Sequence, residues 1–331
     1  MPMSAADALL PSLGWAIVGL GRAGQARLRD LGELPGQRII ARVGRVPGPD
    51  SVSLADALAC ADVDAVVIAS PNALHYSQAA AALAAGKHVL VDFPLAGTAA
   101  EAAALFASAK AAGRILHTEL IGQLTDGHRA RRADARGADA RGADSQNADA
   151  RGADARGAGA RGDDARSADA CNRPLTELRL AFSGGFDGWV ADEAHAGRVG
   201  SLAVGRLHML WDLAGPLQLV DARLEVDKCG YALAVRLQGH RGAAVHLGEK
   251  RTVAGERHLD LSGMYGDGHP LLRPAHQPGQ RLFLDDLRHF LRRVASGGKD
   301  GAYVDDAVVV SVIDLADAIN AATSHTSWSA E

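Results

Sequence analysis

The sequence of 331 residues contains few aromatic side chains and few cysteines. Aromatic residues make up 4% of the chain, and the three cysteines, Cys60, Cys171 and Cys229, are odd in number and scattered. Such cysteines indicate neither a disulfide framework nor a zinc site, and they fit a reducing, cytoplasmic environment. The chain also lacks an apolar run of membrane-spanning length and a basic, then apolar, N-terminal leader. We therefore expect no membrane span and no signal peptide.

Positive charge is not in excess either. The formal net charge is −4 at pH 7, and the sequence pI is about 6.3. This balance gives no general attraction for nucleic acid. With 47% hydrophobic residues, the chain is long enough for two packed cores.

A glycine motif close to the N-terminus is the first feature that points to chemistry. The apolar strand 15–18 runs directly into the string Gly19-Leu20-Gly21-Arg22-Ala23-Gly24, and a helix with apolar spacing follows. Between a strand and a helix, this G-x-G-x-x-G spacing predicts a dinucleotide-binding turn, whose glycines let the backbone approach a pyrophosphate. The motif therefore predicts a nicotinamide cofactor held at the helix N-terminus.

The end of the second predicted strand, 38–43, bears on the choice of cofactor. NAD-preferring sites carry Asp or Glu near this point, whereas here the nearest side chains are Arg42 and Arg45. An arginine fork suits a 2′-phosphate, so Arg45 favours NADPH, with NADH as the open alternative. For Arg42, a solvated loop position is an equal interpretation.

Strands and helices continue to alternate up to residue 124. The apolar run 65–69 ends in Ser70-Pro71-Asn72, and the strand 88–91 ends in Asp92-Phe93-Pro94. Continuous apolar strands alternating with helices predict a doubly wound parallel sheet. We assign residues 1–124 to an α/β Rossmann domain.

A pentapeptide repeat, Ala-Asp-Ala-Arg-Gly, dominates the next segment. Residues 131–170 contain eight arginines and eight aspartates, with no large apolar residue. Such a segment cannot offset the entropy lost on ordering, so we assign 125–173 to a disordered insertion and expect the repeat itself, 131–170, to be dispensable. The neutral charge balance argues against a nucleic-acid arm.

The rest of the chain, 174–331, predicts a second domain of the α+β type. Several segments alternate apolar and polar residues, as in an open, mostly antiparallel sheet with one covered face, and two helices close the chain. We assign this part to substrate binding.

These features together resemble the glucose–fructose oxidoreductase and inositol dehydrogenase superfamily. That superfamily usually has Glu-Lys-Pro where this chain has Asp92-Phe93-Pro94. One branch, the biliverdin reductases, has Glu-Tyr-Pro there. The segments 85–91 and 113–119 and the helix segment 205–217 of this chain are also similar to that branch. Phe93 excludes a phenolic proton donor at that position.

The resemblance implies NADPH-dependent reduction of biliverdin, a linear tetrapyrrole with two propionates, by hydride transfer to its central methine carbon. The implied catalytic candidates are Arg206, Arg198, Phe93 and Glu119. The candidates for cofactor binding are Gly19, Gly21, Arg22, Ala23, Gly24, Arg45, Ser70, His75, Asp92 and Pro94. No metal is expected.

Several alternatives stay open on sequence alone. Arg206 can instead pair with Asp212, Arg198 can be a surface residue, and His75 can simply cap its helix. Glu119 can orient a nicotinamide amide or a water, or be an ordinary carboxylate. His195 and His208 are weaker candidates as proton donors. The whole chain can also act on another conjugated, imine or sugar substrate, or serve as a cofactor-bound sensor without catalysis.

Overall fold

The computed structural model describes residues 9–45, 51–137, 174–275 and 279–326. These residues form two compact units. The first unit holds the described residues of 1–125, 187–208 and 278–325, and the second holds those of 126–186, 209–277 and 326–331.

The strands and helices of the described chain are numbered in sequence order. The strands are β1 (Leu13–Val18), β2 (Gln37–Val43), β3 (Ala65–Ile68), β4 (His88–Val91), β5 (Leu116–Thr118), β6 (Leu175–Gly185), β7 (Gln218–Asp227), β8 (Gly230–Gln238), β9 (Ala244–Thr252) and β10 (His258–Tyr265). The helices are α1 (Arg22–Glu33), α2 (Leu54–Ala59), α3 (His75–Ala84), α4 (Ala99–Ala112), α5 (126–137), α6 (Gly188–His195), α7 (Val199–Ala214), α8 (Leu282–Ala295) and α9 (Asp306–Thr323).

The first unit contains a parallel sheet with the strand order β2-β1-β3-β4-β5. All residues of β1 and β3 are buried, which explains their continuous apolar sequence. Successive side chains of β1 enter different cores: Trp15 and Ile17 lie in one, and Ala16 and Val18 lie in the other. The predicted Rossmann architecture is confirmed.

The two C-terminal helices belong to this first unit, so their assignment to a substrate domain at 174–331 is wrong. Helix α8 packs Leu287 and Phe290 into the core that contains Trp15, with the rings of Trp15 and Phe290 5.5 Å apart. Helix α9 packs into the core on the opposite face of the sheet. An amphipathic pattern shows that a helix needs an apolar partner, but it does not show which sheet provides one.

The second unit contains a mixed sheet with the order β10-β6-β9-β8-β7, in which β6 and β9 are parallel and the other neighbours antiparallel. Its strands alternate buried and outward-facing residues, as Leu233, Val235 and Leu237 do on β8. The predicted open and mostly antiparallel sheet with one covered face is therefore confirmed.

Helix α5 corrects the prediction that the segment from residue 125 onward is disordered and makes no packing contacts. Within this helix, the carboxylate of Asp134 accepts hydrogen bonds from the Tyr265 hydroxyl at 2.8 Å and the Leu272 N–H at 3.1 Å. Arg132 forms an ion pair with Asp212 at 2.9 Å, and Ala135 is buried. Polar side chains thus anchor the start of the repeat without any large apolar residue. Residues 138–173, the rest of the predicted insertion, lie outside the described residues.

The residues that the structure describes contain neither a candidate membrane span nor a candidate metal centre. Within those ranges, none of the helices combines the length and the apolar character that crossing a membrane requires. The same residues contain no group of three His, Cys, Asp or Glu side chains placed to hold a metal ion.

Candidate active site

The glycine motif forms the turn between β1 and α1, and two of its glycines are required by geometry. Gly19 has φ +91°, and a Cβ there would lie 2.4 Å from the carbonyl oxygen of Ala69. A Cβ on Gly24 would lie 1.9 Å from the carbonyl oxygen of Gly19. Gly19 therefore makes the left-handed turn, and Gly24 lets the helix pack against it.

Gly21 has a different role, because no heavy atom lies within 4 Å of the position that its Cβ would take. Gly21 is the N-cap of α1, and no side chain caps that helix end. Its φ of −73° suits any residue, so packing does not explain a glycine here. The open space and the uncapped N–H groups fit a pyrophosphate, which the predicted residues Gly19, Gly21, Arg22, Ala23 and Gly24 would hold.

Replacing Gly21 by alanine should weaken NADPH binding without unfolding the protein. The added methyl group meets no protein atom, but it occupies the space through which the backbone would approach the pyrophosphate. We expect the Kd for NADPH to rise about tenfold or more, with the free energy of unfolding changed by about 1 kcal/mol at most. Calorimetric titration and thermal unfolding would measure both quantities.

Gly32→Ala is the matched control for that variant, because Gly32 lies on the same helix and also has nothing within 4 Å of its Cβ position. It should leave the Kd unchanged and stabilise α1 by about 0.5–1 kcal/mol. An unchanged Kd in Gly21→Ala would mean that the pyrophosphate does not bind at this turn.

His75 connects the ends of two neighbouring strands. Its side chain is buried, with Nδ1 2.7 Å from the carbonyl oxygen of Pro94 and Nε2 2.9 Å from that of Ser70. It makes no capping hydrogen bond at the start of α3. His75 thus holds Ser70 and Pro94, two of the other cofactor candidates, in a fixed arrangement.

Asn72, between Ser70 and His75, provides a second observation that fits a cofactor. Its Nδ2 is buried and has no acceptor among the described residues. Buried amide donors without partners are uncommon in native proteins. A ligand oxygen beside the β3 end would satisfy this group.

Asp92, a cofactor candidate, is mostly buried and contacts Arg27 of α1. Its Oδ1 lies 3.3 Å from Arg27 Nη2, which is also 2.7 Å from Asp286 Oδ2 of α8. The Arg27 side chain is fully buried and lies over the Phe283 ring at 4.6 Å. Burial opposes the charge of Arg27, but Asp286 and Asp92 raise its pKa. Asp92 is therefore a structural partner of Arg27 in this unit.

Phe93 packs against helix α7 at Gly205, the residue before Arg206. A Cβ on Gly205 would lie 3.5, 3.6 and 3.8 Å from Cζ, Cε2 and Cε1 of the Phe93 ring. Nearly equal distances to three ring atoms place Gly205 over the ring face and not beyond its tip. The structure thus brings the end of β4 next to the turn of α7 that carries Arg206.

Arg206 is buried, and its Nη2 donates to the carbonyl oxygen of Leu202 one turn earlier. The alternative partner, Asp212, is paired with His128 at 3.0 Å and with Arg132.

Arg198 forms a two-pronged ion pair with Glu193, at 2.8 Å and 3.1 Å. Arg198 therefore fits the interpretation as a surface residue in an ion pair better than that as a free anion-binding group.

Glu119 follows β5 and is almost completely buried. Its N–H donates to the carbonyl oxygen of Val91, and its Oε1 accepts the Ile121 N–H at 3.1 Å. Burial, together with the nearby Asp92 and Asp286, raises the pKa of Glu119 to about 8. This carboxyl is therefore not an ordinary exposed acid.

Arg42, inside β2, and Arg45, two residues beyond its end, are both exposed, as a residue reaching for a cofactor phosphate would be. Arg45 is the last residue that the structure describes before the gap at 46–50. Arg22, at the first position of α1, is exposed as well.

Sequence reasoning missed Arg27 and Asp286, which organise this end of the sheet. A signal for them was present. Arg27 lies between the buried Gly24 and Leu31 on the inward stripe of α1, and Asp286 lies on the buried stripe of α8. Opposite charges on the apolar stripes of two helices predict a buried ion pair.

Comparison with known proteins agrees with this geometry. Residues 13–120 match the model of the oxidoreductase family with an NAD-binding Rossmann fold. The first unit therefore contains an NAD-binding Rossmann domain.

Two curated relatives and one solved structure are similar over different lengths. Biliverdin reductase A of Mus musculus is 36% identical over 121 residues, and that of Homo sapiens is 34% identical over 122 residues. Each match covers 34% of this chain and 41% of the relative. The biliverdin reductase of Synechocystis sp. PCC 6803, solved with biliverdin and NADP+, has a TM-score of 0.70 at 21% identity. That match covers 95% of this chain and 100% of the other, and it shows a shared fold.

Proposed function

Because residues 13–120 form an NAD-binding Rossmann domain of this oxidoreductase family, we propose that the chain is an NADPH-dependent reductase of biliverdin. The observation that carries the proposal is the contact between Phe93 and Gly205. It places an apolar ring, at the carboxyl end of a parallel strand, beside the helix turn of Arg206. Ligands of doubly wound sheets bind at that edge.

When bound, NADPH supplies the hydride for the central methine carbon. The residues of the chain supply the surroundings. Phe93 offers an apolar surface to a flat conjugated substrate, and it has no acidic proton. Arg206 compensates the negative charge of the propionates and raises the acidity of a protonated group near it.

Substituting Phe93 by tyrosine should keep biliverdin turnover within about tenfold of the parent. Because Gly205 faces the ring and not its tip, a hydroxyl on Cζ does not collide with it. Phe93→Ala, which removes the ring, should lower kcat/KM more strongly than Phe93→Tyr. Equal activity of all three proteins would show that the ring does not contact the substrate.

Arg45→Ala should raise the KM for NADPH about ten- to hundredfold and leave the KM for NADH nearly unchanged. The reason is the loss of a charged hydrogen bond to the 2′-phosphate, worth about 1.5–3 kcal/mol. Arg42→Ala, which removes an exposed arginine inside β2, three residues before Arg45, is the matched control. A similar change in both KM values would contradict a 2′-phosphate contact.

The decisive test is oxidation of NADPH by the purified protein with biliverdin, compared with a panel of sugars and cyclic imines. Formation of bilirubin with loss of NADPH absorbance is the expected result. Turnover of a sugar or imine alone would favour another reductase of this superfamily. Tight NADPH binding without any turnover would favour a cofactor-bound sensor.

A further inference from the structure

Behind the ends of β4 and β5 lies a set of buried polar side chains that we name the Asp286 network: Arg27, Asp92, His117, Glu119, Asp286 and Tyr303. Asp286 is at its centre. Its Oδ2 contacts Arg27 Nη2 at 2.7 Å, and its Oδ1 is 2.8 Å from His117 Nε2 and accepts from the Tyr303 hydroxyl at 2.7 Å. The Tyr303 oxygen also accepts the Leu120 N–H at 2.8 Å. One carboxylate thus connects α1, α8, β5 and the segment before α9.

The charges within this network do not balance if every carboxyl is ionised. It contains three carboxyl groups and one permanent cation, Arg27. The next arginine, Arg293, lies 3.4 Å from His117 Nδ1 and has the carboxyl of Asp306 near it. Asp286 contacts Arg27 at 2.7 Å and Asp92 contacts it at 3.3 Å, while the Glu119 carboxyl accepts a hydrogen bond from the backbone N–H of Ile121. Buried charges are costly unless they are paired. Of the three carboxyls, Glu119 is the one best placed to carry a proton.

We propose that Asp286 is a positioning residue of the candidate site: by holding Arg27, it keeps Glu119 at the end of β5 as an uncharged carboxylic acid. This inference rests on the proposed function, because a reductase of this kind needs a proton source that Phe93 cannot be. An uncharged carboxyl can donate a hydrogen bond or a proton at the sheet edge where ligands bind, whereas a carboxylate can only accept.

The other charged groups around Glu119 agree with this arrangement. Arg27 and His117 lower the pKa of Asp286 to about 2 despite its burial, so Asp286 stays ionised. Burial raises the pKa of Asp92 against the effect of Arg27 and His75. Burial and the charge of Asp286 raise the pKa of Tyr303, so its hydroxyl keeps its proton and donates a hydrogen bond to Asp286. Ionising Glu119 would add a third negative charge to this group.

Infrared spectroscopy of the full chain between pH 6 and 10 tests the proposal without any substrate, because a protonated carboxyl has its own carbonyl band. We expect the wild-type protein to lose such a band near pH 8 and Glu119→Gln to lack it. Asp286→Asn removes one negative charge and frees Arg27 from its partner. In this variant the band of the protonated Glu119 carboxyl should therefore disappear at a pH at least about one unit lower than in the wild type. Tyr303→Phe removes a hydrogen bond to Asp286 but no charge, and it should leave the midpoint nearly unchanged.

The possible outcomes separate this proposal from the proposed function. Persistence of the band in Glu119→Gln would overturn the proposal, and loss of the band in Asp92→Asn instead would place the proton on Asp92. An equal shift in Asp286→Asn and Tyr303→Phe would mean that packing and not charge is responsible. If Asp286→Asn does not fold, the wild-type and Glu119→Gln spectra still decide where the proton is. Absence of biliverdin turnover would refute the proposed function and leave these spectra interpretable.

Discussion

Replacing Arg206 by alanine is expected to lower the turnover of biliverdin by about two orders of magnitude, with the Kd for NADPH unchanged. Arg206 follows Gly205, which contacts Phe93, and with Phe93 at the motif position the proton must come from another group. A positive charge that increases the acidity of a water or substrate group acts mainly in the transition state. The loss should therefore appear in kcat and not only in KM.

Arg206→Lys is the first control for this variant, since it keeps the charge but loses the planar fork. It should recover part of the activity, because a point charge still compensates the propionates. Arg198→Ala is the matched second control, because Arg198 is already paired with Glu193 and should change turnover less. Full activity of Arg206→Ala would refute the assignment and leave the histidines of this region as candidates.

Glu119→Gln is expected to change how the stability of the protein depends on pH. The folded-state pKa of Glu119 is about 8, against an ordinary value of 4.5. Between these values the folded protein keeps a proton that the unfolded chain releases. The wild-type protein should thus lose stability as pH rises from 4.5 through 8 and stay level above that. The loss is on the order of a few kcal/mol, and the glutamine variant, which cannot ionise, should not show it.

Denaturant unfolding at a series of pH values measures this effect. Asp286 affects the pH dependence of the free energy of unfolding with the opposite sign and in a separate pH range. The stabilisation that it provides is present above pH 3.8 and is lost as pH falls through about 2. Replacing an exposed carboxyl by its amide, as in Glu256→Gln, controls for the substitution itself. Parallel pH curves for the wild type and Glu119→Gln would contradict the buried neutral carboxyl.

The sequence was sufficient for the parts of the fold that depend on local pattern. Fully buried strands such as β1 and β3 read as continuous apolar runs, and the glycine spacing predicted the turn before α1. The alternation on β8 predicted a sheet with one covered face. These patterns are direct consequences of strand geometry and of the backbone angles that glycine permits, so neighbouring residues contain the information.

Which residues share a unit, and which charges meet inside it, was decided only by the tertiary structure. Arg27 and Asp286 are 259 positions apart in sequence and lie within 2.7 Å, and α8 and α9 joined the first unit although they end the chain. The repeat likewise begins as a packed helix because Asp134 meets Tyr265. Local sequence specifies which side of a helix is apolar and which side chains are charged. The partner of each face, and hence the protonation state of a buried carboxyl such as Glu119, depends on groups brought together by folding.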